Sequence, residues 1–232
     1  MGAAFQLLPR LPREGAREYS LRVLKHNLVH LHLPPGSMIN AAELSEVAGV
    51  SKTPFREAMQ ELAKSGILQI FPQSGSRVSY IEYERIHQAR FIRLSLETAA
   101  ALEACTRIDP MSCLDFEEML YQQEKSLTQN NQNALFEYDD KFHHYLFRLV
   151  GKDYAYELME GVLIHFDRIR RLGADAGVVS WQRLIDDHRK IYEAIRRQDK
   201  TTVMDLMALH LSRYLEEERS IREMFPQYFA DA

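Results

Sequence analysis

Residues 49–66 read GVSKTPFREAMQELAKSG, and their spacing decides how the first third of the chain folds. Phe55, Ala58, Met59 and Leu62 fall at i, i+3, i+4 and i+7, the stripe of a helix with one buried face. Ser51 is suited to the N-cap, and Pro54 still lies in the first turn, where a missing N–H costs no helical hydrogen bond. Lys52, Thr53 and Arg56 therefore gather at a helix N-terminus, where free amides and the helix dipole favour anions.

Working outward, residues 18–32 place Leu24, Leu28 and Leu31 on one helical face and run into LPPGS. A short helix at 41–48 (AAELSEVA) precedes Gly49, so two helices flank a glycine turn as in a helix-turn-helix. After Gly66, Leu68 and Ile70 alternate on one arm and Val78 and Tyr80 on the other, joined by PQSGS, which reads as a β-hairpin. Three helices and a hairpin over residues 18–81 make a winged helix-turn-helix, preceded by an arm at 1–17. From 83 to 226 there is no strand signal. Helical segments at 83–108, 112–129, 134–150, 154–172, 180–197 and 200–223 predict a bundle of six helices, so the fold class is mainly α.

The bulk numbers fit this division. A chain of 232 residues, 46% hydrophobic and 27% charged, reads as a soluble helical protein of one or two domains. It has no apolar run of membrane-spanning length, and its first stretch, MGAAFQLLPRLPREGAREYS, lacks the apolar core expected of a secretory signal. Two cysteines, Cys105 and Cys113, without zinc-type spacing point to reduced thiols and a cytoplasmic location. Residues 1–80 hold 9 Lys/Arg against 6 Asp/Glu and the remainder 20 against 27, so a positive head sits on an acidic body.

The helical region carries polar residues where a core belongs. Leu135, Tyr138, Phe142, Tyr145 and Leu149 form an inward stripe with Asp139 and His143 directly beside it, one turn apart. The stripe of 180–197 has one polar member, His188, and that of 200–223 has one, His210. A single inward histidine is ordinarily a hydrogen-bonded core residue. Four such groups left unpaired would cost several kcal/mol each, on the order expected for buried polar groups, whereas one divalent cation satisfies them all. Zn²⁺, Ni²⁺, Mn²⁺ and Fe²⁺ all suit the donor set, and the Irving–Williams order means that the sequence does not choose among them; Zn²⁺ is the leading expectation. His165 shares a stripe with Leu158, Val162, Ile169 and Leu172 and could line the same cavity; the other histidines read as surface or packing residues. Arg93 lies on the stripe Ile86, Ala89, Leu96, Ala100, where an aliphatic residue belongs. Either it bridges to Glu97 with both side chains turned outward, or its guanidinium points inward to grip a carboxylate.

Together these stretches resemble the GntR family of bacterial transcription regulators, in the FadR/VanR branch that carries a helical FCD ligand-binding domain. The resemblance spans about 18–222 and rests on LPPGSMI, ELSEVAGVSKTPFREAMQELAKSGIL, PQSGSRV, RLSLETAAALEA, DDKFHHYL, DHRKIYEAI and MALHL. It implies that Ser51, Lys52, Thr53 and Arg56 contact DNA from a recognition helix, with Gln73, Ser74 and Gly75 at the wing tip. Lys52 stands where arginine is common, and Ala42 where a charged side chain often stands. The resemblance also places Asp139, His143, His188 and His210 on metal-ligand positions. It puts Arg93 near the effector, with Arg168 and Arg170 as lesser candidates. The implied protein is a homodimeric repressor-type regulator that binds double-stranded, pseudo-palindromic operator DNA and a small carboxylate effector, without membrane attachment. An alternative makes the bound metal itself the signal. A metallohydrolase would need a general base and a cleft; there is no HExxH-like motif, and the winged helix has no role in one, so no enzyme activity is expected.

Overall fold

The computed structural model describes residues 5–71 and 74–230. The elements are α1 (Ala16–Val29), β1 (Met38–Ile39), α2 (Ala41–Val47), α3 (Lys52–Lys64), β2 (Leu68–Phe71), β3 (Gly75–Val78), α4 (Tyr83–Ala104), α5 (Pro110–Thr128), α6 (Gln132–Leu149), α7 (Asp153–Asp175), α8 (Trp181–Arg196), α9 (Lys200–His210) and α10 (Tyr214–Met224). They form two compact units. The first holds the chain up to Ile86 with Ile164–Leu172 and the end from Arg222; the second holds His87–Leu163 and Gly173–Ile221. This differs from a clean division near residue 82, because the middle of α7 belongs to the first unit.

In the first unit, Phe55, Ala58, Met59 and Leu62 of α3 are buried and share a core with Val23, Leu24 and Leu28 of α1. Ser51 takes the extended N-cap backbone, but its hydroxyl makes no capping bond. The sheet is antiparallel in the order β1-β3-β2, with Met38 opposite Arg77 and Leu68 opposite Val78. Strand β1 was not legible in the hydrophobic pattern. It forms because Gly36 turns back at φ +82°, and Gly36 N–H and Ser37 C=O bond Val78. A Cβ at Gly36 would sit 2.7 Å from the Tyr80 ring, so only glycine fits. Ile70 is exposed where the hairpin pattern faced it inward with Leu68, since the hairpin runs out past the core.

Three side chains one helical face apart on α7 are fixed within this unit. His165 Nε2 lies 2.9 Å from the Ser65 carbonyl, Arg168 donates to the carbonyls of Ser79 (2.8 Å) and Tyr80 (3.1 Å), and Arg171 lies 3.0 Å from His30 Nδ1. His165 therefore belongs here and not with the other inward histidines. Burial pushes its pKa down to about 4. An unfolded histidine titrates near 6.5, so below that pH the unfolded chain takes up the proton first, and stability falls between about 6.5 and 4. His165→Gln keeps a donor for Ser65 and removes that titration. The stability lost between pH 7 and pH 5, read by urea unfolding, should shrink by about 1–2 kcal/mol.

The second unit is all helix among the described residues. Its core is built on Phe116, Phe142, Leu146, Phe147, Ile191, Ile195, Val203 and Met207. One expected helix, 200–223, is instead two. The chain turns at 211–213, where Arg90 Nε takes the Leu211 carbonyl (3.1 Å) and the Leu215 N–H bonds Ser212 C=O (3.0 Å). A side chain thus replaces the helical partner of Leu211, and α9 ends at His210. Among the described residues the bundle accordingly has seven helices, α4 to α10, where the sequence pattern predicts six.

Candidate functional site

Helices α6, α8 and α9 each contribute one buried histidine, and the three Nε2 atoms meet. His143–His188 are 3.3 Å apart, His188–His210 3.2 Å and His210–His143 3.2 Å. Imidazole nitrogens about 2.1 Å from a common metal stand about 3.0 Å apart on an octahedral face and about 3.4 Å apart in a tetrahedron, so the observed triangle fits a shared ion. Asp139, one turn before His143, holds Oδ1 3.6 Å from His188 Nε2 and Oδ2 3.9 Å from His143 Nε2.

Each ring's other nitrogen faces an acceptor. His143 Nδ1 lies 2.6 Å from Glu97 Oε2, His188 Nδ1 lies 3.0 Å from Gln123 Oε1, and His210 Nδ1 faces Asp187 Oδ2 at 3.7 Å. Arg93 Nε bonds Glu97 at 2.5 Å, and Arg213 holds Asp187 with two bonds of 2.8 and 3.0 Å. The Gln123 oxygen puts the His188 proton on Nδ1, and the carboxylates beside the Nδ1 atoms of His143 and His210 favour the same tautomer there, which turns the three Nε2 atoms toward one another. Such an arrangement is repulsive when empty and is satisfied by a cation.

The electrostatics agree. Burial pushes His143 down to about 4, and burial with the neighbouring His210 pushes His188 well below its usual value, so both rings are neutral near pH 7. Burial would raise Glu97, but Arg93 and His143 outweigh it and hold the carboxyl at about 2. Asp187, likewise opposed by burial, is held below the usual range by His210 and Arg213. Neutral imidazoles beside ionised carboxylates are the protonation states that metal binding requires.

Of the arginines, Arg93 is buried, and its bridge to Glu97 is real, but the pair turns inward behind His143 and not out to solvent. Arg168 and Arg170 are not brought to the histidines. Both lie in the first unit, where Arg168 is spent on backbone carbonyls and Arg170 pairs with Asp167 at 3.2 Å. The space bounded by Gln123, Leu135, Asp139, Trp181 and His188 is too small to admit a water molecule. Gln123, Asp187 and Arg213 were missed from sequence. Gln123 alone carried a signal, as the polar member of the stripe Phe116, Leu120, Gln123.

In the first unit, Ser51, Lys52, Thr53 and Arg56 are all exposed along the start of α3. Arg56 shares an open cleft of about 800 Å³ with Asn40, Ala42, Gln60, Ser74 and Gly75. Gln73 lies outside the described residues. No helix among the described residues is long and apolar enough to cross a membrane.

A winged helix-turn-helix carried with an all-helical domain defines the class of helix-turn-helix transcription regulators. The family model "bacterial regulatory proteins, gntR family" matches residues 22–78, and the FCD domain matches residues 88–213. The HTH-type transcriptional repressor RspR of Escherichia coli K12 is 30% identical over 220 residues, covering 95% of this chain and 96% of that protein. An HTH-type regulator of Streptomyces ambofaciens is 31% identical, covering 94% and 91%. Among solved structures, E. coli McbR/YncC shares the fold with a TM-score of 0.78 at 18% identity, covering 91% of this chain and 99% of that one. The chain belongs to the GntR family of transcription regulators, with an FCD domain, and is not an enzyme.

Proposed function

We propose that the protein is a dimeric, metal-containing repressor-type regulator, acting in the cytoplasm on pseudo-palindromic operator DNA. The observation that carries the metal reading is the triangle of Nε2 atoms with every Nδ1 already facing an acceptor. Asp139, His143, His188 and His210 would hold a divalent ion, with Zn²⁺ the best match to three imidazoles and a carboxylate and Ni²⁺, Mn²⁺ or Fe²⁺ able to take its place. When bound, the ion supplies positive charge and open coordination positions. The chain's own residues hold the three rings and keep His143 and His188 neutral.

DNA contact falls to Ser51, Lys52, Thr53 and Arg56, with Ser74, Gly75 and Gln73 from the wing. Arg56 reaches base edges or phosphates, and Thr53 with the first-turn amides fixes the register of the helix. Tyr154, Leu158 and Val162 form an exposed apolar stripe on α7, which suits a face covered by a second copy.

The effector is a small carboxylate. The space beside His188 is too tight to admit even a water molecule, far from the roughly 300–1,000 Å³ of ordinary ligand pockets, so a carboxylate would reach the metal only as the bundle opens. That same tightness favours the second reading, in which the metal is the signal.

Footprinting with metal-loaded full-length protein should reveal two half-sites related by two-fold symmetry. Arg56→Ala should weaken operator binding about 10–100-fold, the worth of a bidentate base contact of roughly 1–3 kcal/mol, without changing the dimer or its melting temperature. An Arg56→Ala chain that shifts the operator like wild type would place DNA reading elsewhere. Addition of Zn²⁺ against a panel of small carboxylates in the same assay separates the two signals.

A further inference from the structure

The residue behind His188 is the only one of the three ring partners that carries no charge. Gln123 is buried on α5; its Nε2 donates to the Tyr138 carbonyl at 2.9 Å, and its Oε1 lies 3.0 Å from His188 Nδ1. A carbonyl oxygen can only accept, so the amide NH₂ must face Tyr138. The oxygen that remains can also only accept, so the hydrogen between Gln123 and His188 has to sit on Nδ1.

We infer that Gln123 is a positioning residue for the metal centre, fixing His188 as the Nδ1–H tautomer so that its Nε2 lone pair points at His143 and His210. This rests on the metal-site reading above. Glu97 and Asp187 stand beside the Nδ1 atoms of their rings as negative charges that Arg93 and Arg213 then balance. Gln123 holds its ring with no charge and no counter-ion.

Its second bond gives it a further hold on the site. Tyr138 immediately precedes Asp139, so one side chain on α5 joins the backbone of α6 beside one donor to the ring of another on α8. The Phe142 ring stacked on His188 at 4.1 Å sets the ring plane, and Gln123 sets its rotation and its proton.

The experiment compares full-length wild type, Gln123→Leu and Gln123→Glu. Long-range ¹H–¹⁵N spectra of the metal-free protein should show His188 as Nδ1–H in wild type, with that pattern lost in Gln123→Leu. Zn²⁺ affinity, measured by competition with a chromophoric chelator, should fall about 10–100-fold in Gln123→Leu and clearly less in Gln123→Glu, which keeps the acceptor for His188 Nδ1 and gives up only the donor to Tyr138. A general packing defect would move both variants together and leave the wild-type tautomer unexplained. An Nε2–H tautomer in wild type overturns the inference, as does Zn²⁺ binding equally tight in the leucine variant or equally weak in the glutamate one. Wild type that binds no Zn²⁺ sinks the metal reading and this one together, whereas binding indifferent to position 123 sinks this one alone.

Discussion

His188→Ala protein, purified without chelator, should carry less than about a tenth of an ion per chain, against about one for wild type. His188 meets both other rings through its Nε2, as each histidine does, and Asp139 approaches its Nε2 more closely than that of His143. Without it, two imidazoles and a carboxylate remain, too few to close a site. The loss should also show as stability. A ligand held by the native state alone, at about a thousand times its Kd, contributes about 4 kcal/mol. At roughly 2–4 °C per kcal/mol for a chain of this size, Zn²⁺ should raise the melting temperature of wild type by about 10 °C. It should leave His188→Ala, and His210→Ala with it, nearly unmoved. The metal-free forms are the control: relieving the crowding of three Nε2 atoms within about 3.3 Å offsets part of the cavity cost, so their melting temperatures should lie closer together. A wild-type chain that is metal-free as purified and indifferent to Zn²⁺, Ni²⁺ and Mn²⁺ would leave the cluster as a polar core.

What the sequence disclosed about this site follows the reach of its patterns. A histidine alone on an apolar stripe is visible at helical spacing, and His143, His188 and His210 were each found that way before the fold brought them together. The α3 stripe was legible for the same reason, since Phe55, Ala58, Met59 and Leu62 repeat within one helix. Asp187 and Gln123 escaped because their meaning depends on partners 23 and 65 residues away, His210 and His188. No local period records such a distance. The break after His210 was hidden too, because it depends on Arg90 reaching a carbonyl 121 residues later. Strand β1 is two residues long, shorter than any alternation can register. His165 and Arg168 misled for the converse reason. Their stripe on α7 is genuine, but the segment packs in the other unit, and periodicity specifies a buried face without naming what buries it.

Arg93→Met should destabilise the metal-free protein by about 3–5 kcal/mol, the usual cost of stranding one member of a buried ion pair. Glu97 is fully buried, and Arg93 Nε, at 2.5 Å, is the largest influence keeping its carboxyl down at about 2 against the pull of burial. The sign is plain. A carboxyl lowered from its ordinary 4.5 contributes stability that is fully present above that value and lost as pH falls toward 2, so the effect is complete at pH 7. The cost should reside in the stranded charge. The double variant Arg93→Met with Glu97→Gln removes that charge and keeps an acceptor for His143 Nδ1, so it should recover to within about 1 kcal/mol of wild type in urea unfolding. Zn²⁺ should discriminate further. A divalent ion at His143 Nε2, across the ring from Glu97, replaces part of the lost positive charge, so Arg93→Met should gain more stability from Zn²⁺ than wild type does. An arginine that served only to grip an effector behaves differently in each respect. Its loss would be nearly neutral without effector, the double variant would bring no recovery, and the Zn²⁺ response would match wild type. That outcome would return Arg93 to the effector and leave Glu97 to be balanced by His143.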